Sequence, residues 1–155
     1  MMELDRQNRA AAHWSRQQYE TLFLSPVLQL SERFIVVAEN IVAQDPSEMQ
    51  AETVSGAAQR LLAFLVASRV EKEWELENIV VERKFQRLGV GTRLLRNFVD
   101  CARANHDRGI FLEVRETNQS ARAMYQKTGF AEIGSRKRYY SDPTEDAILY
   151  RLSLI

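Results

Sequence analysis

The residues from 78 to 130 alternate short apolar runs with amphipathic segments, and this alternation limits the fold more than any other feature of the chain. The strand-like run Asn78–Val81 leads into Gln86-Arg87-Leu88-Gly89-Val90-Gly91-Thr92, which opens an amphipathic segment of helical period. A second apolar run, Ile110–Val114, precedes a second helical segment. Strands that alternate with helices at this length predict an α/β or α+β fold, in which helices pack on a sheet.

Both predicted helices carry signals that fix their positions. The first follows the glycine-containing loop, and its apolar residues recur on one face: Leu94, Leu95, Phe98, Val99 and Ala102. Cys101 is assigned to the same face, as a small buried residue and not as a nucleophile. The second helix is expected over residues 120–128, where Asn118 suits the N-cap and Gly129 suits the left-handed position that ends it.

The remaining segments are assigned from apolar runs and turn signals. Helices are expected over residues 5–12 and from Ser15 to before Pro26, the second with a capping box at Ser15. Residues 39–60 fit no regular element apart from one helical turn at residues 45–48. Further strands are expected at residues 34–38, 61–70, 74–82, 130–135 and 147–154. Residues 61–70 and 74–82 form a hairpin, and residues 139–143 join the last two strands.

The composition is that of a small globular domain, and it argues against several classes of partner. The 155 residues are expected to form one domain over residues 1–155. The 21 basic and 21 acidic residues cancel, so the chain lacks the net field that gathers nucleic acid. No apolar run reaches the roughly 20 residues of a membrane helix. The single cysteine and the charged N-terminus, which has no signal-peptide apolar region, indicate a cytoplasmic protein.

The loop from Gln86 to Thr92 has the composition of a phosphate-binding turn. Gly89 and Gly91 let the backbone approach a ligand without an intervening Cβ. The first N–H groups of the following helix lack intrahelical partners and carry the positive end of its dipole, and Arg87 adds a cation. The alternative is a tight turn without a ligand. A Walker loop is excluded because Gly-Lys-Ser/Thr is absent, and a dinucleotide fingerprint fits poorly because the third glycine is missing.

Glu113 and Tyr125 follow this loop in an order that suits proton transfer. An unpaired carboxylate is costly to bury, so Glu113 is either a functional base or the polar member of a half-exposed strand. Tyr125 is either a proton donor or an aromatic residue of the helix face. No metal site is expected, because His13 and His106 have no partners at ligand spacing. The loop, the carboxylate and the phenol together indicate group transfer from a pyrophosphate-containing cofactor.

These residues resemble the GNAT superfamily of acetyl-CoA-dependent N-acetyltransferases, and the resemblance runs through most of the chain. Asn78-Ile79-Val80-Val81 followed by Gln86-Arg87-x-Gly89-x-Gly91 resembles the acetyl-CoA motif of that family. The stretch from Glu113-Val114-Arg115 through Asn118, Ala121 and Tyr125 to Gly129-Phe130 resembles its second conserved block. Leu112–Arg115, Arg138-Tyr139-Tyr140 and Glu145-Asp146-Ala147 are similar to the ribosomal-protein-alanine (RimI-like) branch.

The resemblance implies a central mixed, mostly antiparallel sheet flanked by helices, with acetyl-CoA as co-substrate and no metal. Glu113 would be the general base, acting through water, and Tyr125 the acid that protonates the departing CoA thiolate. Tyr139 and Tyr140 would form part of the wall that binds the acceptor peptide. The pantetheine arm would follow residues 79–81 and meet Asn118, and the pyrophosphate would meet the loop. The cofactor-binding residues would then be Ile79, Val80, Val81, Gln86, Arg87, Leu88, Gly89, Val90, Gly91, Thr92 and Asn118.

The resemblance further implies direct acetyl transfer to a primary amine, above all the N-terminal α-amine of a protein such as a ribosomal protein. The alternatives are a small-molecule amine, a lysine side chain, and a module that binds CoA without turnover. A peptide α-amine, with a pKa of about 7.7–8.0, is about one tenth neutral at pH 7. A lysine, with a pKa of about 10.4, is neutral in well under a thousandth of molecules. A carboxylate base therefore suffices for an N-terminus.

Two features depart from the family pattern. No strand is expected ahead of the first helix. Either the sequence begins downstream of the natural start, or the sheet lacks the usual first strand and presents an exposed edge through which two copies could associate. The segment from residue 41 to 60 is longer than the usual hairpin connection. The basic triplet at residues 136–138 is interpreted as a solvated edge, with an acidic peptide or a phosphate as the alternative partner.

Overall fold

The computed structural model describes residues 31–41 and 59–155, and these form one six-stranded sheet with two helices. The strands are β1 (Ser31–Ile41), β2 (Gln59–Val70), β3 (Glu73–Val81), β4 (Gly109–Arg115), β5 (Ala131–Ser141) and β6 (Thr144–Ser153). The helices are α1 (Val90–Ala104) and α2 (Gln119–Lys127), and a 3-10 turn lies at Arg83–Phe85. No helix of the described residues is long and apolar enough to cross a membrane.

The strands are arranged in the order β1-β2-β3-β4-β6-β5. Among the described strands, β3 and β4 are the one parallel pair, and α1 is the crossover between them. All other neighbouring strands pair in antiparallel fashion. Both helices pack on the same face of the sheet, where they share a core with alternate residues of β2, β3, β4 and β6. The predicted mixed, mostly antiparallel sheet with packed helices is confirmed.

Several predicted elements are found with slightly shifted ends. The β2–β3 hairpin is confirmed. The cap of α2 is confirmed as well, because the Asn118 side-chain oxygen accepts a hydrogen bond from the Ala121 N–H at 3.2 Å. Gly129 has a φ of 96°, as expected for the residue that ends this helix. The helices expected before Pro26, the turn at residues 45–48 and any strand ahead of the first helix lie outside the described residues.

The prediction that Cys101 is buried is wrong, because its side chain is exposed. Each residue of an α-helix advances by about 100°, which puts the middle of the buried face of α1 near Phe98 and Ala102. Leu94 lies at the margin of that face. Cys101 falls just beyond Leu94, on the solvent side.

The prediction for the last hairpin is wrong at its closed end. β5 continues to Ser141, so Tyr139 and Tyr140 lie in a strand and not in the connection. The two strands meet in a tight turn at Asp142 and Pro143. The strand expected at residues 130–135 is therefore found, but it extends further. Almost every residue of β5 is exposed, and residues 136–141 have no apolar alternation that would mark them as a strand.

A β-bulge at Glu77 interrupts β3. Asn78 pairs with Val66 of β2 and Leu76 pairs with Ala67, so Glu77 is an extra residue that has no partner position in β2. Because side chains alternate along a strand, one extra residue reverses the face on which the following side chains lie.

The change of face along β3 is visible in the core. It occurs where β3 and β4 separate. Trp74 and Leu76 pack under the helices before the bulge, and Ile79 and Val81 do so after it. β3 and β4 pair over a short stretch that ends at Leu76 opposite Leu112. Beyond that point the strands diverge and open a space in the middle of the sheet.

The turn before β4 is anchored by a buried carboxylate. Asp107 is 3% exposed, and its Oδ2 accepts a hydrogen bond from the Trp74 indole N–H at 2.7 Å. Its Oδ1 lies 2.7 Å from Nη2 of Arg69. The Trp74 ring packs edge-on against Phe98 of α1, with 5.3 Å between ring centres. The carboxylate therefore joins β2, β3 and the end of the crossover, and this fixes where β4 begins.

We expect Asp107→Asn to lower the free energy of unfolding by roughly 3 kcal/mol, because it removes the charge of a buried carboxylate that contacts both Arg69 and Trp74, while it preserves side-chain shape. The control is Asp100→Asn. The Asp100 side chain is 72% exposed beside Arg103, so this substitution should change the free energy of unfolding by less than about 0.5 kcal/mol. Urea unfolding of both variants checks this. Equal effects of the two substitutions would contradict an anchoring role for Asp107.

Candidate active site

The chain enters α1 through a glycine in the left-handed conformation. Gly89 is the N-cap residue and has a φ of 81°. The first helical hydrogen bond runs from the Arg93 N–H to the Gly89 carbonyl at 2.9 Å. The N–H groups of Val90, Gly91 and Thr92 therefore lie outside the helical ladder, at the positive end of the helix dipole. Such a helix end can hold a phosphate group.

The glycine loop combines open space with close packing. A Cβ at Gly89 would meet no atom within 4 Å, so the space above this residue is open. A Cβ at Gly91 would lie 3.4 Å from both Met124 Sδ and Val81 Cγ2, because α1 begins close to β3 and α2. Arg87 has a left-handed φ of 65°. This conformation is costly for a residue with a Cβ, and such residues are concentrated at ligand sites.

The divergence of β3 and β4 forms a cleft of about 60 Å³, which we call the slot. A single water molecule needs on the order of 10–15 Å³, so the slot can admit a small chemical group. Where β3 ends, the Gln86 side-chain amide donates a hydrogen bond to the Val81 carbonyl at 3.0 Å. The slot is lined by Leu76, Glu77, Asn78, Ile79, Glu113, Val114, Arg115, Asn118, Ala121, Tyr125 and Tyr140.

Tyr125 forms an aromatic wall of the slot. The residue is 5% exposed, and its ring lies 5.8 Å from the ring of Phe130 and 6.1 Å from that of Tyr150. Burial raises the pKa of the Tyr125 phenol well above its usual value, and the nearby phenol of Tyr140 raises this pKa further. The hydroxyl therefore remains protonated at neutral pH and can serve as a hydrogen-bond donor.

Glu113 is held by two side chains of β5. Its Oε1 lies 2.7 Å from Nη1 of Arg136, and the Glu113 side chain is 20% exposed. Tyr139 hydrogen-bonds to the same carboxylate, and this bond raises the pKa of the Tyr139 phenol. Glu113 is thus neither a freely solvated surface carboxylate nor an unpaired buried one.

A larger cleft of about 310 Å³, which we call the groove, includes residues of the sheet face opposite the helices. Burial and the neighbouring carboxylates of Glu77 and Glu113 raise the pKa of Glu75 in this groove, and Arg136 opposes that shift. Among the described residues, Glu113 alone lines both the slot and the groove. The groove is lined by Ser68, Val70, Glu73, Trp74, Glu75, Phe111, Leu112, Glu113, Arg136, Leu149 and Tyr150.

Arg115 fixes Tyr140 against the slot. The guanidinium carbon lies 4.1 Å from the centre of the Tyr140 ring, and Nη1 lies 3.2 Å from Oε2 of Glu145. Arg115 Nη2 also donates to the Asp142 carbonyl at 3.0 Å. Burial of Glu145 disfavours its charge, but the Thr117 N–H at 2.6 Å and the Arg115 guanidinium outweigh this effect and lower the pKa of Glu145. An ionised Glu145 thus holds the turn that carries Tyr140.

Most of the residues predicted for the site are brought together, although they contribute in different ways. Val80 is completely buried, and the Val81 side chain packs against the core, so their backbones are the parts that a ligand could meet. Tyr139 contacts Glu113 from outside the slot. Residues 86–89 lie between the 3-10 turn after β3 and α1, and residues 90–92 begin α1. The predicted residues that line the slot are Ile79, Glu113, Asn118, Tyr125 and Tyr140.

The sequence alone assigns no catalytic or ligand-binding role to the side chains of Glu75, Asn78 or Arg115, and it does not link Arg136 to Glu113. The interpretation of residues 136–138 as a solvated edge holds in part, since Lys137 is 80% exposed, but Arg136 pairs with Glu113. This contact depends on the register of β5 with β6 and of β6 with β4, which no local pattern encodes. Asn78 carries one signal, because it is the single amide in an apolar run.

Comparison with known proteins identifies the family. Residues 8–130 match the acetyltransferase (GNAT) family model. The ribosomal protein bS18-alanine N-acetyltransferase of Escherichia coli K12 is 36% identical over 97 residues, which are 61% of this chain and 66% of that protein. The crystal structure of the ribosomal-protein-S18-alanine N-acetyltransferase from Escherichia coli matches with a TM-score of 0.71 and 26% identity, over 99% of this chain and 84% of that one. An acetyltransferase from Bacillus anthracis in complex with acetyl coenzyme A matches with a TM-score of 0.55 and 29% identity, over 62% and 57% of the two chains.

The family model covers most of the chain, so the chain belongs to the GNAT family of acetyltransferases. The family predicted from the two central motifs is therefore confirmed. The matched region spans 48% to 66% of the length of the first two curated relatives. Within the described residues, no cluster of His, Cys, Asp and Glu side chains is arranged to hold a metal ion.

Proposed function

We propose that the protein transfers the acetyl group of acetyl-CoA directly to the α-amine at the N-terminus of a protein. The observation that carries this proposal is the position of Glu113, which lines both the slot and the groove. A carboxylate at the junction of two clefts can take a proton from an amine that arrives through one cleft while a thioester is held in the other. Direct transfer requires this kind of alignment.

The slot and the glycine loop support acetyl-CoA as the donor. Where β3 has left β4, its backbone N–H and C=O groups on that side are not used by the sheet. The pantetheine arm contains two amide groups and can pair with such an edge as an added strand does. The free N–H groups of residues 90–92 offer a site for the pyrophosphate. The acetyl-CoA complex of the Bacillus anthracis acetyltransferase is in keeping with this assignment.

The charge of the groove supports a cationic amine as the acceptor. Glu75 and Glu113 both line it, and carboxylates attract an ammonium group. Arg136 reduces the repulsion between these carboxylates. The Escherichia coli relatives are named for action on an alanine of ribosomal protein S18. We therefore propose an N-terminus of this kind, on a ribosomal protein, as the acceptor.

The proposed reaction needs no covalent acetyl-enzyme. Glu113 accepts a proton from the amine through water, and the neutral nitrogen attacks the thioester carbonyl carbon. The new C–N bond forms, the C–S bond breaks, and CoA leaves as a thiolate. Tyr125 protonates the thiolate, and the acylated nitrogen loses its extra proton through water to the Tyr125 phenolate. The proton taken by Glu113 passes to solvent. The products are the acetylated N-terminus and CoA with a free thiol.

The burial of Tyr125 has two opposing consequences for this last step. It raises the pKa of the phenol, so Tyr125 stays protonated until the pH rises through that raised value. A thiol ionises near pH 8.5 in water, so proton transfer from this phenol to a solvated thiolate would be uphill. The thiolate forms in the same buried slot, however, where desolvation raises its pKa as well. The two groups are therefore closer in acidity than their values in water indicate.

The first prediction concerns the cofactor. Gly89→Asn should weaken CoA binding about 10- to 100-fold, because the new side chain occupies the space above the helix end and displaces charge-assisted hydrogen bonds to phosphate. The protein itself should tolerate the change, since asparagine adopts left-handed backbone and a Cβ there meets no atom within 4 Å. Calorimetric titration with CoA measures the effect, with Arg96→Ala on the exposed side of α1 as the control. Unchanged affinity in Gly89→Asn would refute the pyrophosphate site.

The second prediction separates the two proton-transfer roles by pH. Glu113→Gln should lower kcat at pH 7 by roughly 10²-fold, and the loss should shrink as the pH rises past the α-amine pKa of about 8. Tyr125→Phe should lower kcat without such recovery, because protonation of the thiolate is still required. The wild-type rate should not decline below about pH 10, because the pKa of Tyr125 is raised. The measurement is a set of pH–rate profiles with a peptide that begins with alanine.

Control acceptors distinguish the alternatives in the same assay. The same peptide with a blocked N-terminus and an internal lysine should react much more slowly than the free α-amine. Faster reaction of the lysine or of a small-molecule amine would replace the proposed acceptor. If the protein binds CoA but releases no free CoA from acetyl-CoA in the presence of the acceptors, it is a binding module without turnover. Full activity of Glu113→Gln at pH 7 would mean that another group is the base.

A further inference from the structure

Asn78 carries a buried amide inside β3, directly before the apolar residues 79–81. The residue is 5% exposed, and its Nδ2 has no hydrogen-bond partner among the described residues. Buried polar groups are nearly always hydrogen-bonded, and an unsatisfied donor destabilises the fold. The sequence offers no local turn or cap that would use this amide, because Asn78 lies inside β3. Its position therefore points to a ligand atom as the partner.

The bulge at Glu77 decides where this amide lies. It reverses the alternation of β3, so Ile79 and Val81 pack under the helices and Asn78 lies on the other side of the strand. Asn78 then lines the slot together with Glu113 and Tyr125. The chain thus places a neutral donor in the same cleft as a carboxylate and a phenol, just past the last residue at which β3 pairs with β4.

We propose that Nδ2 of Asn78 donates a hydrogen bond to the carbonyl oxygen of the acetyl thioester. This inference rests on the proposed function, since it requires acetyl-CoA in the slot. A pantetheine arm that follows residues 79–81 brings its thioester to the neighbouring position of β3, which is Asn78. The carbonyl oxygen gains negative charge as the amine attacks, so a donor fixed there stabilises the tetrahedral intermediate more than the ground state.

The phenol of Tyr125 is assigned to the thiolate, and the carboxylates, the second amide and the guanidinium of the slot are less suited to this task. Glu77 and Glu113 carry carboxylates, which accept hydrogen bonds and would repel an oxyanion. The Asn118 side-chain oxygen accepts from the Ala121 N–H and serves its own helix. Arg115 is engaged with the turn after β5. Asn78 is the neutral slot amide that no described residue satisfies.

The test compares acetyl-CoA with S-ethyl-CoA, a thioether that has the same length but no carbonyl oxygen. Calorimetry in the absence of an acceptor gives the affinity of each for the wild type, Asn78→Ala and Asn78→Ser. In Asn78→Ala we expect a loss of about two- to tenfold for acetyl-CoA, the range of one neutral hydrogen bond, and unchanged affinity for S-ethyl-CoA. Asn78→Ser retains a shorter donor and should lose less.

The kinetic part of the test uses the same variants with the peptide acceptor. Loss of a donor to the developing oxyanion should lower kcat of Asn78→Ala by about 10²-fold and leave the KM of the peptide unchanged. Equal loss of affinity for both CoA derivatives would assign Asn78 to packing and overturn the inference, as would unchanged kcat. If Asn78→Ala fails to bind S-ethyl-CoA, the affinities of Asn78→Ser for acetyl-CoA and S-ethyl-CoA are compared instead. A loss confined to acetyl-CoA supports the hydrogen bond, and an equal loss overturns it. Absence of binding by the wild type would instead overturn the proposed function.

Discussion

The separation of β3 from β4 is the constraint on which the rest of the site depends. Parallel strands in the middle of a sheet normally pair along their length, because unpaired backbone groups in a protein interior are costly. Here the pairing ends at Leu76 opposite Leu112, at the point where the bulge at Glu77 disturbs β3. Gln86 satisfies the Val81 carbonyl from outside the sheet. The remaining edge is a template for an extended ligand that contains amide groups.

The same separation brings the polar groups of two strands and one helix into one cleft. Glu113 and Arg115 alternate with apolar residues of β4. If β3 continued to pair with β4 beside them, no cleft would open next to these two side chains. Because β3 departs, Glu113 faces the slot as well as the groove, and Tyr125 of α2 reaches the slot from the helical side. Arg136 and Arg115, by pairing with Glu113 and Glu145, fix the charges around this opening.

Much of the fold could be predicted from the sequence, because its signals are local. The period of α1, the Asn118 cap and the β2–β3 hairpin each follow from residues close together in the chain. The second half of β5, residues 136–141, could not, because it has no apolar alternation. The helical period alone does not separate Cys101 from the buried face of α1. Cys101 lies next to Leu94 at the edge of that face, but on the exposed side.

The residues of the candidate site also fall into those that local motifs predict and those that only long-range contacts bring together. Glu113, Tyr125 and the glycine loop belong to contiguous motifs, and the resemblance to a family supplied their proposed roles. The pairing of Arg136 with Glu113 depends on contacts between strands that are distant in sequence. Asn78 lines the slot because of the bulge at Glu77, and the residues around Glu77 do not predict a bulge. The pairing of Arg136 leaves no mark in local composition, and the one mark of Asn78 is that it is the single amide beside residues 79–81.

The central claim is that donor and acceptor reach Glu113 through different clefts. The most direct measurement is a crystal structure with a bisubstrate analogue, in which the CoA sulfur is joined through a CH2–CO linker to the α-nitrogen of a peptide that begins with alanine. We predict that the pantetheine lies in the slot between β3 and β4, the linker lies at Glu113, and the peptide leaves through the groove past Glu75 and Arg136. A pantetheine arm outside the slot, or a peptide that leaves without contacting the groove, would contradict this claim.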